Sequence, residues 1–113
     1  MKQYTTPEQT AKLIELGFER PKTIVDKYYD FDAEDYAEVN HYSIGELIER
    51  LPTRIEAEIE DEFDNEYSYL EIHEGWTISY FNGWCRIDKR TFANELIDAL
   101  YEMVVELKED RMI

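Results

Sequence analysis

A single cysteine, Cys85, cannot close an internal disulfide, which fits a reducing compartment. As a nucleophile it would need a nearby base, and the chain has only two histidines, His41 and His73. A small semi-apolar residue on the inner face of a strand is the plainer role for it. No run of about 18 apolar residues exists, so a membrane-spanning helix is excluded. The N-terminal stretch Met1 to Pro7 lacks the apolar core of a secretory signal, and a cytoplasmic protein is expected. Glycine-rich phosphate loops, nucleophile elbows and metal-spaced Cys/His sets are all missing, as are repeats and low-complexity tracts. Basic side chains are scarce, twelve against twenty-seven acids. The excess is uneven, because residues 26–75 alone hold three basic and seventeen acidic side chains, net −14 of the total −15. A field of that sign repels nucleic acid and anionic lipid and favours basic partners, although acidity also simply keeps a small protein soluble.

The densest structural signal is the stretch Tyr67 to Asp88. Asn82-Gly83 between apolar flanks predicts a two-residue type I′ turn, which would set Phe81 opposite Trp84, Tyr80 opposite Cys85 and Ile78 opposite Ile87. Upstream, a three-residue loop His73-Glu74-Gly75 pairs Ile72 with Trp76 and Leu70 with Ile78. Only that register keeps the apolar residues on one side. The outward face then carries Tyr67, Tyr69, Glu71, Thr77, Ser79, Phe81, Trp84 and Arg86.

Helices flank this meander. Thr6-Pro7-Glu8-Gln9 reads as a capping box with proline at the first helical position, and Gly17 as a C′ stop with Phe18 folding back. Ser43-Ile44-Gly45-Glu46 is a second capping box, stapled by Tyr42 and Leu47, with Leu47, Ile48 and Leu51 as its buried stripe. Between them, residues 20–42 show no clear period and read as a long loop tacked down by Tyr28, Tyr29, Phe31 and Tyr36. Its carboxylates do not match a calcium loop, since from Asp30 position six is Asp35 and position twelve His41. Ile55 to Glu60 alternates like an edge strand, while Ile55, Ile59 and Phe63 also fit a helix; Pro52 favours the strand. Finally Thr91 can cap a helix running to about Arg111. Leu96, Ile97, Leu100, Met103, Val104 and Leu107 would face Leu70, Ile72, Trp76, Ile78, Tyr80 and Ile87.

The segments Tyr42-Ser43-Ile44-Gly45-Glu46-Leu47-Ile48-Glu49-Arg50-Leu51-Pro52 and Glu95 to Lys108, with the helix Thr10–Phe18, resemble small uncharacterised acidic proteins of phages and other mobile elements of gut bacteria. The resemblance implies no particular activity and transfers no functional residue. It does suggest a small acidic protein that acts by blocking something.

The expected fold is α+β in two layers. A small antiparallel meander of three strands, four if Ile55–Glu60 joins it, packs against a long C-terminal helix with two shorter N-terminal helices. One domain spans residues 1–113. The expected function is a non-enzymatic interaction module, with no catalytic residue, metal or cofactor. Its candidate surfaces are the acidic segment with Asp30, Asp32, Glu34 and Asp35, and the aromatic sheet face with Tyr69, Phe81 and Trp84. Exposed, that face would take a partner or a second copy; otherwise the first helix or the Tyr28–Tyr36 segment covers it. The partner is expected to be a protein, basic if the acids bind it, and neither nucleic acid nor membrane. Two alternatives are a nucleic-acid mimic that occupies a DNA-binding protein and a hydrolase built on a carboxylate-bound divalent ion. From charge alone, the melting temperature should rise from low salt to about 0.15 M, where repulsion is screened beyond about 8 Å. A thermal melt at both salts checks this, and a flat response would mean that the acids are already balanced locally.

Overall fold

The computed structural model describes residues 1–60, 62–83 and 86–113. Its elements are α1 (Pro7–Glu15), β1 (Thr23–Asp30), β2 (Asp35–His41), α2 (Ile44–Arg50), β3 (Arg54–Glu56), β4 (Tyr67–His73), β5 (Thr77–Gly83), β6 (Arg86–Phe92) and α3 (Leu96–Glu109). The α+β class and the C-terminal helix are as expected. The strand count is not, because six strands form two antiparallel sheets, β3-β4-β5-β6 and a separate ribbon β1-β2.

Helix α3 supplies the main seam of the core. Leu96, Ile97, Ala99, Leu100, Met103, Val104 and Leu107 are buried along it, at the helical spacing seen in the sequence. They pack with Leu13, Tyr42, Leu47, Leu51, Ile55, Ile78 and Tyr80, while Leu70 and Trp76 lie half-buried against the same cluster. Tyr80 keeps its hydroxyl satisfied by donating to the Pro52 carbonyl at 2.8 Å, which lets the ring be fully buried. Thr91 is not the cap of α3. It belongs to β6 and donates its hydroxyl to the Ala99 carbonyl at 2.8 Å, so the helix begins at Leu96, where Lys2 holds Glu95 and Asp98.

Both N-terminal helices start with the expected capping boxes, Thr6 with Gln9 and Ser43 with Glu46. Gly17, at φ 98°, closes α1: its N–H bonds to the Ile14 carbonyl and that of Phe18 to the Leu13 carbonyl. Within α2, Leu47 and Leu51 are buried but Ile48 is exposed. A helix of two turns has too narrow an inner face to hide all three.

The meander departs from the expected registers in an instructive way. The loop before β5 is Glu74-Gly75-Trp76, which sets His73 opposite Thr77, Ile72 opposite Ile78 and Leu70 opposite Tyr80. It has three residues as expected but starts one residue later. The pairing therefore slips by two, and the side chains keep their faces. Asn82-Gly83 is not the next turn. Both residues lie in β5, Gly83 pairs with Arg86, and Ile78 pairs with Thr91 instead of Ile87. Tyr80 pairs with Lys89 and Phe81 with Ile87, in place of the expected Cys85 and Trp84.

The physical reason is the Asn82 amide, which is buried. It donates to the Asn65 carbonyl at 3.0 Å and to Ser68 Oγ at 3.2 Å, and accepts from the Asn65 N–H at 2.9 Å. At Gly83, φ is 92° and an added Cβ would come within 2.8 Å of Asn65 Nδ2, so the glycine serves an irregular strand and a close neighbour. The register shifts around Phe81 also turn Ile87 to the outer face. They take Arg86 off that face to pair with Asp88 and Asp64 and to donate to the Glu58 carbonyl. Edge strand β3 covers only Arg54–Glu56, so the expected alternation to Glu60 holds for its first half. Leu100 and Ile78 are both fully buried between α3 and the sheet. Leu100→Ala and Ile78→Ala should each cost ~2–4 kcal/mol in denaturant unfolding; a loss below about 1 kcal/mol would contradict this packing.

Candidate functional site

Residues 20–42 were expected to be a loop folded onto the body. Thr23–His41 form instead a ribbon that stands away from it, while Tyr42 enters the core. The reason is local: β-branched and aromatic residues on both sides of Phe31-Asp32-Ala33-Glu34 pair with each other, Tyr28 opposite Ala37 and Tyr29 opposite Tyr36. The alternation is hidden in the sequence because neither ribbon face is buried, so no apolar stripe marks one. The molecule measures 64 × 27 × 17 Å, with a radius of gyration of 17.0 Å. A compact chain of this length would have about 13 Å, so the ribbon is a true projection.

Its tip carries the acids singled out from the sequence. Asp30 Oδ1 accepts from the N–H of Asp32 at 3.0 Å and of Ala33 at 3.3 Å, and Glu34 takes a left-handed φ of 55° to complete the reversal. Asp30 is thus partly a turn-forming residue. Asp32, Glu34 and Asp35 are exposed. Asp30 and Asp35 stand directly opposite each other, a like-charge pair that weakens the ribbon.

Beside these acids lies an aromatic cluster. Tyr29 meets Phe31 edge-on at 4.9 Å and Tyr36 at 5.3 Å, yet Phe31 is 82% and Tyr36 70% exposed. Lys27 is the ribbon's single basic residue among six acids and pairs with Glu38 at 3.9 Å. Tyr28, Tyr29, Phe31 and Tyr36 are functional candidates that sequence reasoning assigned to a structural role. The missed signal was four aromatics interleaved with acids around Asp32-Ala33-Glu34.

At its root the ribbon is latched by Glu46. Besides closing the α2 capping box, this carboxylate accepts from the Lys22 N–H at 3.0 Å, the Thr23 N–H at 3.2 Å and the Thr23 hydroxyl. Burial alone would raise its pKa, but these bonds, the Ser43 N–H and nearby Arg50 hold it below the ordinary carboxylate value. A second tie links His41 Nδ1 to Thr10 Oγ1 at 2.7 Å, Thr10 to Thr5 Oγ1 at 2.7 Å, and Thr5 Oγ1 to the Tyr42 N–H at 3.1 Å.

The aromatic sheet face is a separate surface. Tyr69 and Phe81 lie on it as expected, side by side in one cross-strand row, and Tyr69 is 51% exposed. Trp84 is outside the described residues. Neither the first helix nor the tyrosine segment covers this face, because the latter projects as the ribbon. The acidic and aromatic candidates are therefore not brought together. Among the described residues, no three His, Cys, Asp or Glu side chains converge as a metal site requires, and no helix is long and apolar enough to cross a membrane. No family model, curated protein or solved structure matches the chain.

Because Glu46 ionises more readily when folded, the latch contributes fully above the ordinary value of 4.5 and is lost as pH falls through the lower folded value. Glu46→Gln should cost about 1 kcal/mol at pH 7, in the range of a lost cap, and progressively less as pH falls below 4.5. Amide exchange at Thr23 should accelerate in the variant at pH 7. An unchanged Thr23 would show that the latch does not hold the ribbon.

Proposed function

We propose that the protein is a non-enzymatic binding module that docks on a basic protein surface through the β1-β2 ribbon. The observation that carries this reading is the exposed cluster of Tyr29, Phe31 and Tyr36 at the tip of a ribbon with net charge −5. Isolated two-stranded ribbons are marginal in water, and large aromatics left exposed mark contact surfaces. Carboxylates beside aromatic faces suit arginine and lysine, since ion pairs steer the encounter and the rings take the cation. Tyrosines of this chain already receive guanidinium groups in that way: Arg54 lies 3.9 Å from the centre of the Tyr67 ring and Arg50 4.8 Å from that of Tyr42.

A nucleic-acid mimic is the narrower alternative, in which the basic partner is a DNA-binding protein. The aromatic cluster favours the broader reading, because a phosphate mimic relies on carboxylates and gains little from exposed rings.

An arginine-rich peptide serves as the probe, followed by backbone chemical shifts. Shifts should concentrate on residues 28–36, and affinity should fall at least roughly tenfold between about 0.05 and 0.3 M salt, as screening requires. Phe31→Ala combined with Tyr36→Ala should weaken binding by ~2 kcal/mol or more without lowering the melting temperature. Shifts spread evenly over residues 26–75, or intact binding by the double variant, would overturn the assignment to the ribbon. Salt-independent binding would remove the electrostatic part.

A further inference from the structure

Among the described residues, no segment packs over the outer face of the four-stranded sheet. Register sets Tyr69, Phe81 and Ile87 in one cross-strand row and Glu71, Ser79 and Arg90 in the next. Beyond them Phe92 stands opposite Thr77 and is 71% exposed, with Ile87 at 45%. Such exposure on three large apolar or aromatic residues of one face exceeds what scattered surface residues need. The charges on this face differ from those elsewhere. Arg54 and Arg90 balance Glu56 and Glu71, so it is locally neutral on a chain of net −15. Glu71 touches His73 at 3.0 Å, and Arg90 has no ion-pair partner among the described residues.

We infer that this face packs against the same face of a second copy, about a two-fold axis parallel to β5. Rotation about that axis lays β5 over β5 and β4 over the β6 of the other protomer. The Glu71-Ser79-Arg90 row then meets its own reverse, so Glu71 of each protomer faces Arg90 of the other. Tyr69 likewise faces Ile87, and Phe81 meets its own copy. Ser79, buried between larger neighbours, lets the sheets approach closely at the centre. An axis across the strands would instead set Glu71 on Glu71 and Arg90 on Arg90, so the charges select one geometry. The strands of the two sheets run nearly aligned, the ordinary arrangement of sheets packed about 10 Å apart.

A basic partner is less well matched here, because the face offers it no net charge. A second copy is matched in polarity and charge, and is opposed only by long-range repulsion between two acidic chains. In this geometry β3 lies outside the overlap, and three strands about 4.8 Å apart and about seven residues long cover roughly 330 Å² in projection. That is small for a permanent interface and points to a reversible dimer in the micromolar range. Screening the repulsion should tighten it, the opposite of the salt response expected of the ribbon.

Sedimentation equilibrium on the full chain provides the test. The wild type should dimerise, more tightly at about 0.3 M than at about 0.05 M salt. Glu71→Arg and Arg90→Glu should each weaken the dimer at least roughly tenfold, and the double exchange should restore it to within about threefold. Tyr69→Ser weakens it without altering charge and serves as the second probe should Glu71→Arg melt early. Phe31→Ala with Tyr36→Ala should leave the dimer unchanged, which separates this surface from the ribbon. A wild type that stays monomeric at about 100 μM, far above a micromolar constant, would overturn the inference. So would single charge variants that dimerise normally, a double exchange as weak as either single one, or a dimer lost with the ribbon aromatics.

Discussion

Burial of the apolar stripe of α3 is the interaction on which everything else in the molecule rests. The short helices α1 and α2 cannot stand alone in water, and the meander has only one apolar face to offer. Leu100, Met103, Val104 and Leu107 provide a single surface on which both requirements are met, in one cluster with Leu13, Leu47 and Leu51 of the helical segments and Ile78 and Tyr80 of the sheet. That concentration leaves much of the chain free of core duty. The outer sheet face and the whole β1-β2 ribbon contribute little to the seam, and there the sequence places exposed aromatics.

Polar side chains carry the fastening that the small core cannot supply. Glu46 caps α2 and holds the start of β1 with the same carboxylate, so the ribbon is oriented by a helix cap. Asn82, Ser68 and Asn65 do the corresponding work where β5 meets the connection from β3. In each case a buried or half-buried polar group is satisfied by backbone from a distant segment, which converts a desolvation penalty into a tie. The acidic excess coexists with this because most of its members remain in water. Those drawn inward, Glu46, Asp64, Asp88 and Asp98 among them, have donors beside them.

The two exposed surfaces differ in physical character. The ribbon is narrow, acidic and aromatic, exposed on both faces, and joined to the body only at its root. The sheet face is flat, locally neutral and backed by the core. A projecting acidic element suits capture of a basic partner, whereas a flat neutral face suits a copy of itself. A dimer formed through the sheets would carry two ribbons, so partner binding would gain from two attachments where the sites lie within reach.

Local chemistry decided a good part of this protein. Thr6 with Gln9, Ser43 with Glu46, and Gly17 before Phe18 mark helix ends through groups within four residues of each other, and the period of Leu96 to Leu107 identifies the seam by itself. Tyr69 and Phe81 could be assigned to a shared face because strand alternation is preserved when a register slips by two. What only the tertiary structure decided are the features set by distant partners or by the absence of burial. Asn82-Gly83 has the composition of a turn, but the amide is worth more bonded to Asn65 and Ser68, so the strand runs on and Ile87 and Arg86 change places relative to the sheet. Thr91 looks like a cap and becomes a strand residue that reaches Ala99. The ribbon gave no periodic signal because strand alternation becomes visible only when one face is buried, and here both faces meet water.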